Sequence, residues 1–206
     1  MFHKKRLGAG ELRLIDERQA VERVRSLKRR PIYFILENIY DTYNIGGLFR
    51  LADALAIEKI YLVGETETPP NNRIKKASIG TYKIVPWEYC QTTKEAIKRY
   101  KDSVCPIFIT PESPPAKGGV LESEKNVHTF FPMVIAVEQA PNSIPYSKFS
   151  YSYPLALIFG NESYGVLLET LKMVDAIVEI PMFGVNKSLN VIVSAAIVSY
   201  WIVVTS

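Results

Sequence analysis

Apolar positions recur along the chain in two patterns. Short runs at residues 32–36, 60–63, 133–137, 155–159 and 176–180 lack strict polar alternation, which predicts strands buried on both faces. Residues 83–85 are expected to add a brief strand after the second run. Other segments carry helical spacing. Ile45, Leu48, Leu51, Ala52 and Leu55 predict a helix over 44–55, and charged or apolar helices are expected at 92–100, 166–174 and from near 188 to about 203. At the start, Leu14, Val21, Val24 and Leu27 fall on one side of a predicted amphipathic helix over 10–30, ended by Pro31. Strands alternating with helices predict an α/β fold, a mostly parallel sheet with helices on both faces.

Two segments break the rhythm. Residues 103–131 hold Pro106, Pro111, Pro114, Pro115, Gly118 and Gly119, so a surface excursion is expected there, with room for one strand at 107–110. The last helix is apolar almost all round over 191–204. It is shorter than the roughly 20 residues a membrane span needs, and Ser194 and Ser199 interrupt it, so burial in a core or a subunit interface is expected.

Charge changes the picture at one end only. Residues 1–30 hold ten Lys/Arg against four Asp/Glu, a net +6, and the rest holds 15 against 17, a net −2. This basic N-terminal extension suggests a polyanionic partner; a solvated helix with exposed arginines explains it equally well. Two cysteines, Cys90 and Cys105, make no disulfide framework, and two histidines build no His-rich metal site. No charged-then-apolar leader opens the chain, so a cytoplasmic protein with reduced thiols is expected, without metal or membrane attachment.

Candidate chemistry sits where predicted strands end, since ligands of open α/β sheets bind at the carboxyl ends of strands. After the first strand comes Asn44-Ile45-Gly46-Gly47-Leu48-Phe49-Arg50. Adjacent glycines permit a close approach, and Asn44 and Arg50 lie within two helical turns, both able to serve the strand ends. A capping Asn, a packing Gly pair and a surface Arg account for the same residues. The stretch is neither a P-loop nor a dinucleotide fingerprint, lacking Gly-Lys-Ser/Thr and a third spaced glycine. Gly160-Asn161-Glu162-Ser163-Tyr164-Gly165 follows another strand, and its glutamate fixes either a helix start or a ligand. Ile180-Pro181-Met182 leads through Gly184 to Ser188-Leu189-Asn190-Val191, where Ser188 is expected to cap the last helix.

Taken in this order, the three motifs resemble the SpoU/TrmH family of RNA ribose 2′-O-methyltransferases, in the SPOUT superfamily. The likeness spans residue 32 to about 201, with Asn44, Gly46 and Arg50 in the first motif, Gly160, Glu162 and Gly165 in the second, and 180–182, Gly184 and 188–191 in the third. Ser78-Ile79-Gly80 fits as well, whereas Ala56 stands where relatives carry glycine. The resemblance implies a SPOUT-type fold over residues 31–206, with a C-terminal trefoil knot, and a homodimer whose sites take residues from both subunits. It implies S-adenosylmethionine held against Val137, Gly160, Ile180, Ser188 and Leu189. Arg50, Asn44, Glu162, Ser188 and Asn190 would then carry catalysis, Arg50 as phosphate holder and alkoxide stabiliser. RNA would be gripped by the basic extension, through Lys4, Lys5, Arg6, Lys28, Arg29 and Arg30. The absence of room for a separate substrate domain favours tRNA over rRNA. The alternative is a non-catalytic RNA-binding or ribosome-assembly protein on the same fold; a membrane-surface protein anchored at both ends is the weaker rival.

Overall fold

The computed structural model describes residues 6–104 and 131–205; residues 105–130 of the excursion expected at 103–131, its strand, Lys4, Lys5 and Cys105 lie outside the described residues, while Ser103 ends a helix. Seven strands form one sheet: β1 (Arg30–Glu37), β2 (Ile57–Val63), β3 (Trp87–Cys90), β4 (Met133–Val137), β5 (Ile144–Pro145), β6 (Leu155–Phe159) and β7 (Ala176–Glu179). Their order is β3-β2-β1-β6-β4-β7-β5, and each pairing is parallel. All carboxyl ends therefore share one edge. The order reverses between β1 and β6, which opens a crevice at that edge.

Successive residues of β1 feed opposite faces. Ile32, Phe34 and Leu36 pack with Ile45, Leu48 and Phe49 of α3 (Thr42–Ala54) and with Val191, Ala195, Val198 and Ile202 of α7 (Val191–Thr205). Tyr33 and Ile35 face Ala96, Ile97 and Tyr100 of α5 (Thr93–Ser103). A side chain on the Gly46-Gly47 pair has no room. A Cβ at Gly46 would sit 2.5 Å from the Ala77 Cβ in α4 (Asn72–Ser78), and one at Gly47 would sit 2.4 Å from Ile192 Cδ1. The pair therefore brings two helices onto α3 rather than baring backbone to a ligand.

Four expectations shift. The N-terminal helix is two: α1 (Ala9–Leu14) and α2 (Glu17–Ser26). Asp16 starts the second as a capping box with Gln19, accepting its N–H at 2.8 Å. This break changes the helical phase, so Ile15 and Ala20 are buried against Ile84 while Leu14 is 85% exposed. Residues 81–83 form a 3₁₀ turn, and the third strand starts after Pro86 at Trp87, because Thr81 O accepts both the Ile84 and Val85 N–H groups. The helix expected at 166–174 shrinks to α6 (Leu168–Leu171), since Val166 N–H donates to Glu138 and Leu167 N–H to Glu37 instead of joining a helix. Finally, Asn190 rather than Ser188 precedes α7, its Oδ1 accepting the Ile192 N–H at 2.9 Å.

Two cations of the N-terminal basic segment are built into the fold. The Arg29 guanidinium donates to Ile57 O at 2.9 Å and Ile84 O at 2.5 Å, and Arg30 donates to Leu55 O at 3.0 Å. Burial lowers the Arg29 pKa from its ordinary value, opposed by the charges of Asp53 and Glu58. Lys83 Nζ donates to Ile15 O at 2.7 Å, which ties the helix pair to the domain. Arg6, Arg13, Arg18, Arg25 and Lys28 stay exposed.

No helix among the described residues is long and apolar enough to cross a membrane; α7 has 15 residues. It presents Val193, Tyr200 and Val204 outward, and Phe183 and Val185 of the preceding loop are also exposed.

Ala56, the residue that departs from the family pattern, has φ +53°. This left-handed conformation costs an L-residue about 1–2 kcal/mol, of which a glycine's greater freedom when unfolded returns about 0.5–1 kcal/mol. Ala56→Gly is therefore expected to stabilise the fold by about 0.5–1 kcal/mol. Chemical denaturation measures this, and an unchanged or lowered midpoint contradicts it.

Candidate functional site

The site grows from loops that leave the carboxyl edge. After β6 the chain turns sharply through 160–165. Asn161 and Gly165 close the turn with paired backbone bonds of 3.1 and 2.9 Å, and the buried Asn161 side chain donates to Asn38 O at 2.7 Å while accepting the Ser163 N–H at 2.7 Å. Gly160 is forced: a Cβ there would sit 2.2 Å from Val166 N. At the end of β4, Glu138 Oε2 accepts the Val166 N–H at 2.9 Å and holds the turn from its other side. Sequence reasoning assigned no role to Asn161 or Glu138. Asn161 was readable as a turn-former beside glycine, whereas nothing in the strand pattern marks Glu138.

Glu162 reaches from this turn to the β1–α3 connection. Its Oε1 accepts Asn44 Nδ2 at 2.9 Å and the Asp41 N–H at 3.3 Å, and its Oε2 accepts the Tyr40 N–H at 3.3 Å. Asn44 is turned inward at the first turn of α3 and accepts at Oδ1 from Asn190 Nδ2 at 3.0 Å. The three motifs thus join in one chain of hydrogen bonds, Asn190 to Asn44 to Glu162. The 182–190 loop is tied back by Gln139 Nε2, which donates to Lys187 O at 2.8 Å.

Between these loops lies a cleft of about 640 Å³. Val137, Gly160, Ile180, Ser188 and Leu189 all line it, together with Glu162. Phe159, Met182 and Val191 add apolar wall, and Ser188, Lys187 and Asn186 supply polar groups on one side. A cleft of this size, with an apolar wall, a glycine turn and polar groups converging on it, suits a nucleoside-bearing small molecule such as S-adenosylmethionine.

Arg50 stands apart. Six residues after Asn44 is about 1.7 turns, so a helix that turns Asn44 inward points residue 50 elsewhere. Arg50 is exposed, does not line the cleft, and has no hydrogen bond or ion pair among the described residues. The expectation that both residues serve the same strand ends does not hold within one chain. Two other groups are shifted away from ionisation. Burial pushes the Cys90 thiol up to about 11, and the Tyr40 hydroxyl is raised well above the phenol range, chiefly by its hydrogen bond to Glu65. Among the described residues, no group of three or more His, Cys, Asp or Glu is placed to hold a metal ion.

A parallel sheet with a glycine-turn cleft at the carboxyl ends of β4, β6 and β7 defines an α/β small-molecule-binding domain. The chain belongs to the SpoU rRNA methylase family, matching it over residues 31–131 and 120–200. It is 24% identical over 183 residues to the tRNA (guanosine(18)-2′-O)-methyltransferase of Thermus thermophilus, covering 89% of this chain and 79% of that one. It is 25% identical over 173 residues to a 23S rRNA (guanosine-2′-O-)-methyltransferase of Neisseria meningitidis, covering 84% of this chain and 58% of that one. Its fold is similar to the SpoU methyltransferase AviRb of Streptomyces viridochromogenes solved with its cofactor AdoMet, with a TM-score of 0.67, 18% identity, and coverage of 89% of this chain and 60% of that one.

The Asn44–Glu162 bond should be measurable as a coupling. In a double-mutant cycle of Asn44→Ala and Glu162→Ala, denaturant unfolding is expected to give a coupling energy of about 1 kcal/mol. Strictly additive losses would show that the two motifs do not act together.

Proposed function

We propose that the protein is an S-adenosylmethionine-dependent methyltransferase acting on a ribose 2′-hydroxyl of RNA, working as a homodimer in the cytoplasm. The observation that carries this reading is the convergence of the 160–165 turn, the β4 end and the 180–189 loop on one cleft, beside the Asn190–Asn44–Glu162 chain of hydrogen bonds. Family membership supports the chemistry, and the tRNA-specific Thermus relative supports tRNA as the substrate. The C-terminal trefoil knot is part of the same proposal, as is the division into a basic extension over 1–30 and a catalytic domain over 31–206.

The geometry supports the following roles. Val137, Gly160, Ile180, Ser188 and Leu189 hold the cofactor, the apolar residues by contact and the turn by backbone. Bound there, S-adenosylmethionine would supply an electrophilic sulfonium methyl to the ribose hydroxyl. Because the donor is already activated, the chain's main task is positioning. Asn44, Glu162 and Asn190 fix the relative placement of the cleft and α3. Ser188 stays free to donate a hydrogen bond at the cleft wall.

An exposed guanidinium without a partner among the described residues of its own chain is free to serve the partner's cleft. Pairing through α7 buries Val193, Tyr200 and Val204 and gives Arg50 that opportunity. There it holds a phosphate and stabilises the developing alkoxide; a guanidinium does not act as base near neutral pH.

Calorimetry is expected to show S-adenosylmethionine binding to the purified protein. Arg50→Ala should lower methyl transfer to RNA about 100-fold or more while leaving cofactor affinity within about twofold. Mixing Arg50→Ala subunits with Gly160→Val subunits, each inactive alone, should restore activity in the heterodimer. Failure to bind cofactor supports the non-catalytic scaffold, and absence of rescue places Arg50 in its own chain's site.

RNA contact by the extension falls to its exposed cations, Arg6 and Lys28 with Arg13, Arg18 and Arg25, and to Lys4 and Lys5; Arg29 and Arg30 donate to backbone carbonyls. Replacing Arg13, Arg18 and Arg25 by Gln should weaken RNA binding and flatten its salt dependence by roughly 0.7–0.9 in slope for each phosphate no longer neutralised. An unchanged slope assigns the grip elsewhere.

A further inference from the structure

Beside the cofactor cleft lies a second one, of about 450 Å³, lined by Tyr40, Asp41, Thr42, Glu67, Asn71, Asn72 and Arg73. Two tyrosines separate the clefts. Tyr40 lines the second and Tyr164 lines the first. Their rings meet edge to face, with centroids 6.5 Å apart at 71°, and their hydroxyls are 3.2 Å apart. The Tyr40 hydroxyl also donates to Glu65, and the Tyr40 backbone N–H donates to Glu162 of the catalytic turn. Both rings are nonetheless about half exposed, at 47% and 50%. Hydrogen bonds at the phenol tips hold them, and burial does not cover their faces.

The charges around them are sorted. Asp41 accepts the Tyr43 N–H, Glu65 is engaged by Tyr40, and Glu67 faces the cleft. These exposed carboxylates disfavour phosphate on their side and can accept from the N–H edge of a base. Lining the same cleft, the Arg73 guanidinium has no partner among the described residues, and exposed Lys75 and Lys76 follow it on α4.

We propose that the second cleft is a subsite for an unpaired nucleotide flanking the methylated one, its base stacked on the Tyr40–Tyr164 pair and its phosphate held by Arg73. This rests on the methyltransferase reading, which puts a ribose at the mouth of the first cleft, one tyrosine pair away. Aromatic faces with a nearby guanidinium are the usual means of binding single-stranded nucleic acid, because every base offers a π-face. A duplex keeps its bases stacked on one another and cannot enter. The enzyme therefore selects RNA loops or bulges, and Tyr40 and Tyr164 contribute to that selection directly.

The test uses the full-length protein and a short single-stranded oligoribonucleotide carrying one 2-aminopurine, alone or annealed to its complement. Wild type should quench the single strand on binding and bind the duplex weakly. Tyr40→Leu and Tyr164→Leu should weaken single-strand binding about tenfold or more and abolish the quench, whereas Tyr40→Phe and Tyr164→Phe stay within about threefold. Arg73→Gln should weaken binding and flatten its salt slope but keep the quench at saturation. S-adenosylmethionine affinity of the Tyr40 variants should equal that of wild type, since Tyr40 does not line the first cleft. Wild-type affinity and quench in Tyr40→Leu, or equal loss in the Phe and Leu variants, overturns the subsite. Intact stacking in a protein that binds no cofactor leaves the subsite standing and overturns the methyltransferase reading instead.

Discussion

A parallel sheet delivers all its strands to one edge, and the loops leaving that edge carry backbone N–H groups that need acceptors. Here three glutamates meet the demand. Glu37 ends β1 and, fully buried, accepts the Leu167 N–H at 2.8 Å, Thr170 Oγ1 at 2.5 Å and Thr93 Oγ1. Glu138 follows β4 and takes the Val166 and Gln139 N–H groups. Glu162 takes those of Tyr40 and Asp41. Buried polar groups are costly unless paired, so the buried Glu37 fixes where its loop can rest, and the more open Glu138 and Glu162 add ties to theirs. The cleft is the space these anchored loops leave between them.

This explains why the site was legible in part. Gly160, Glu162, Ser188 and Asn190 stand where strands end, and the pattern of apolar runs locates those ends within a few residues. Long periodic segments such as α3 and α5 were equally plain. The pairing partners were not. Asn44 and Asn190 are 146 residues apart, and only tertiary packing brings them to 3.0 Å. Glu138 reads as an ordinary charge after a strand, and its acceptor role exists only because β4 lies beside β6. The Gly46-Gly47 pair, readable as a ligand approach, is a helix-packing device.

The basic segment shows the limit of reading charge as surface. Arg29 and Arg30 sit among eight other Lys/Arg in residues 1–30, yet both cap carbonyls at the sheet's opposite end. Composition cannot separate a cation that satisfies backbone oxygens from one that awaits an anion. Likewise, the break at Ile15–Asp16 rotates the apolar stripe, so Leu14 and Val21 face outward although their spacing suits a core.

The bond between Asn190 and Asn44 has a temporal consequence. On the ribosome, α3 emerges well before the segment that enters α7. A nascent chain can pair most of its sheet while Asn44 still lacks that partner. Maturation of the site therefore waits until residue 190 has cleared the exit tunnel, and a chain truncated ahead of Asn190 lacks both this latch and the α7 side chains that complete the core and the cleft wall.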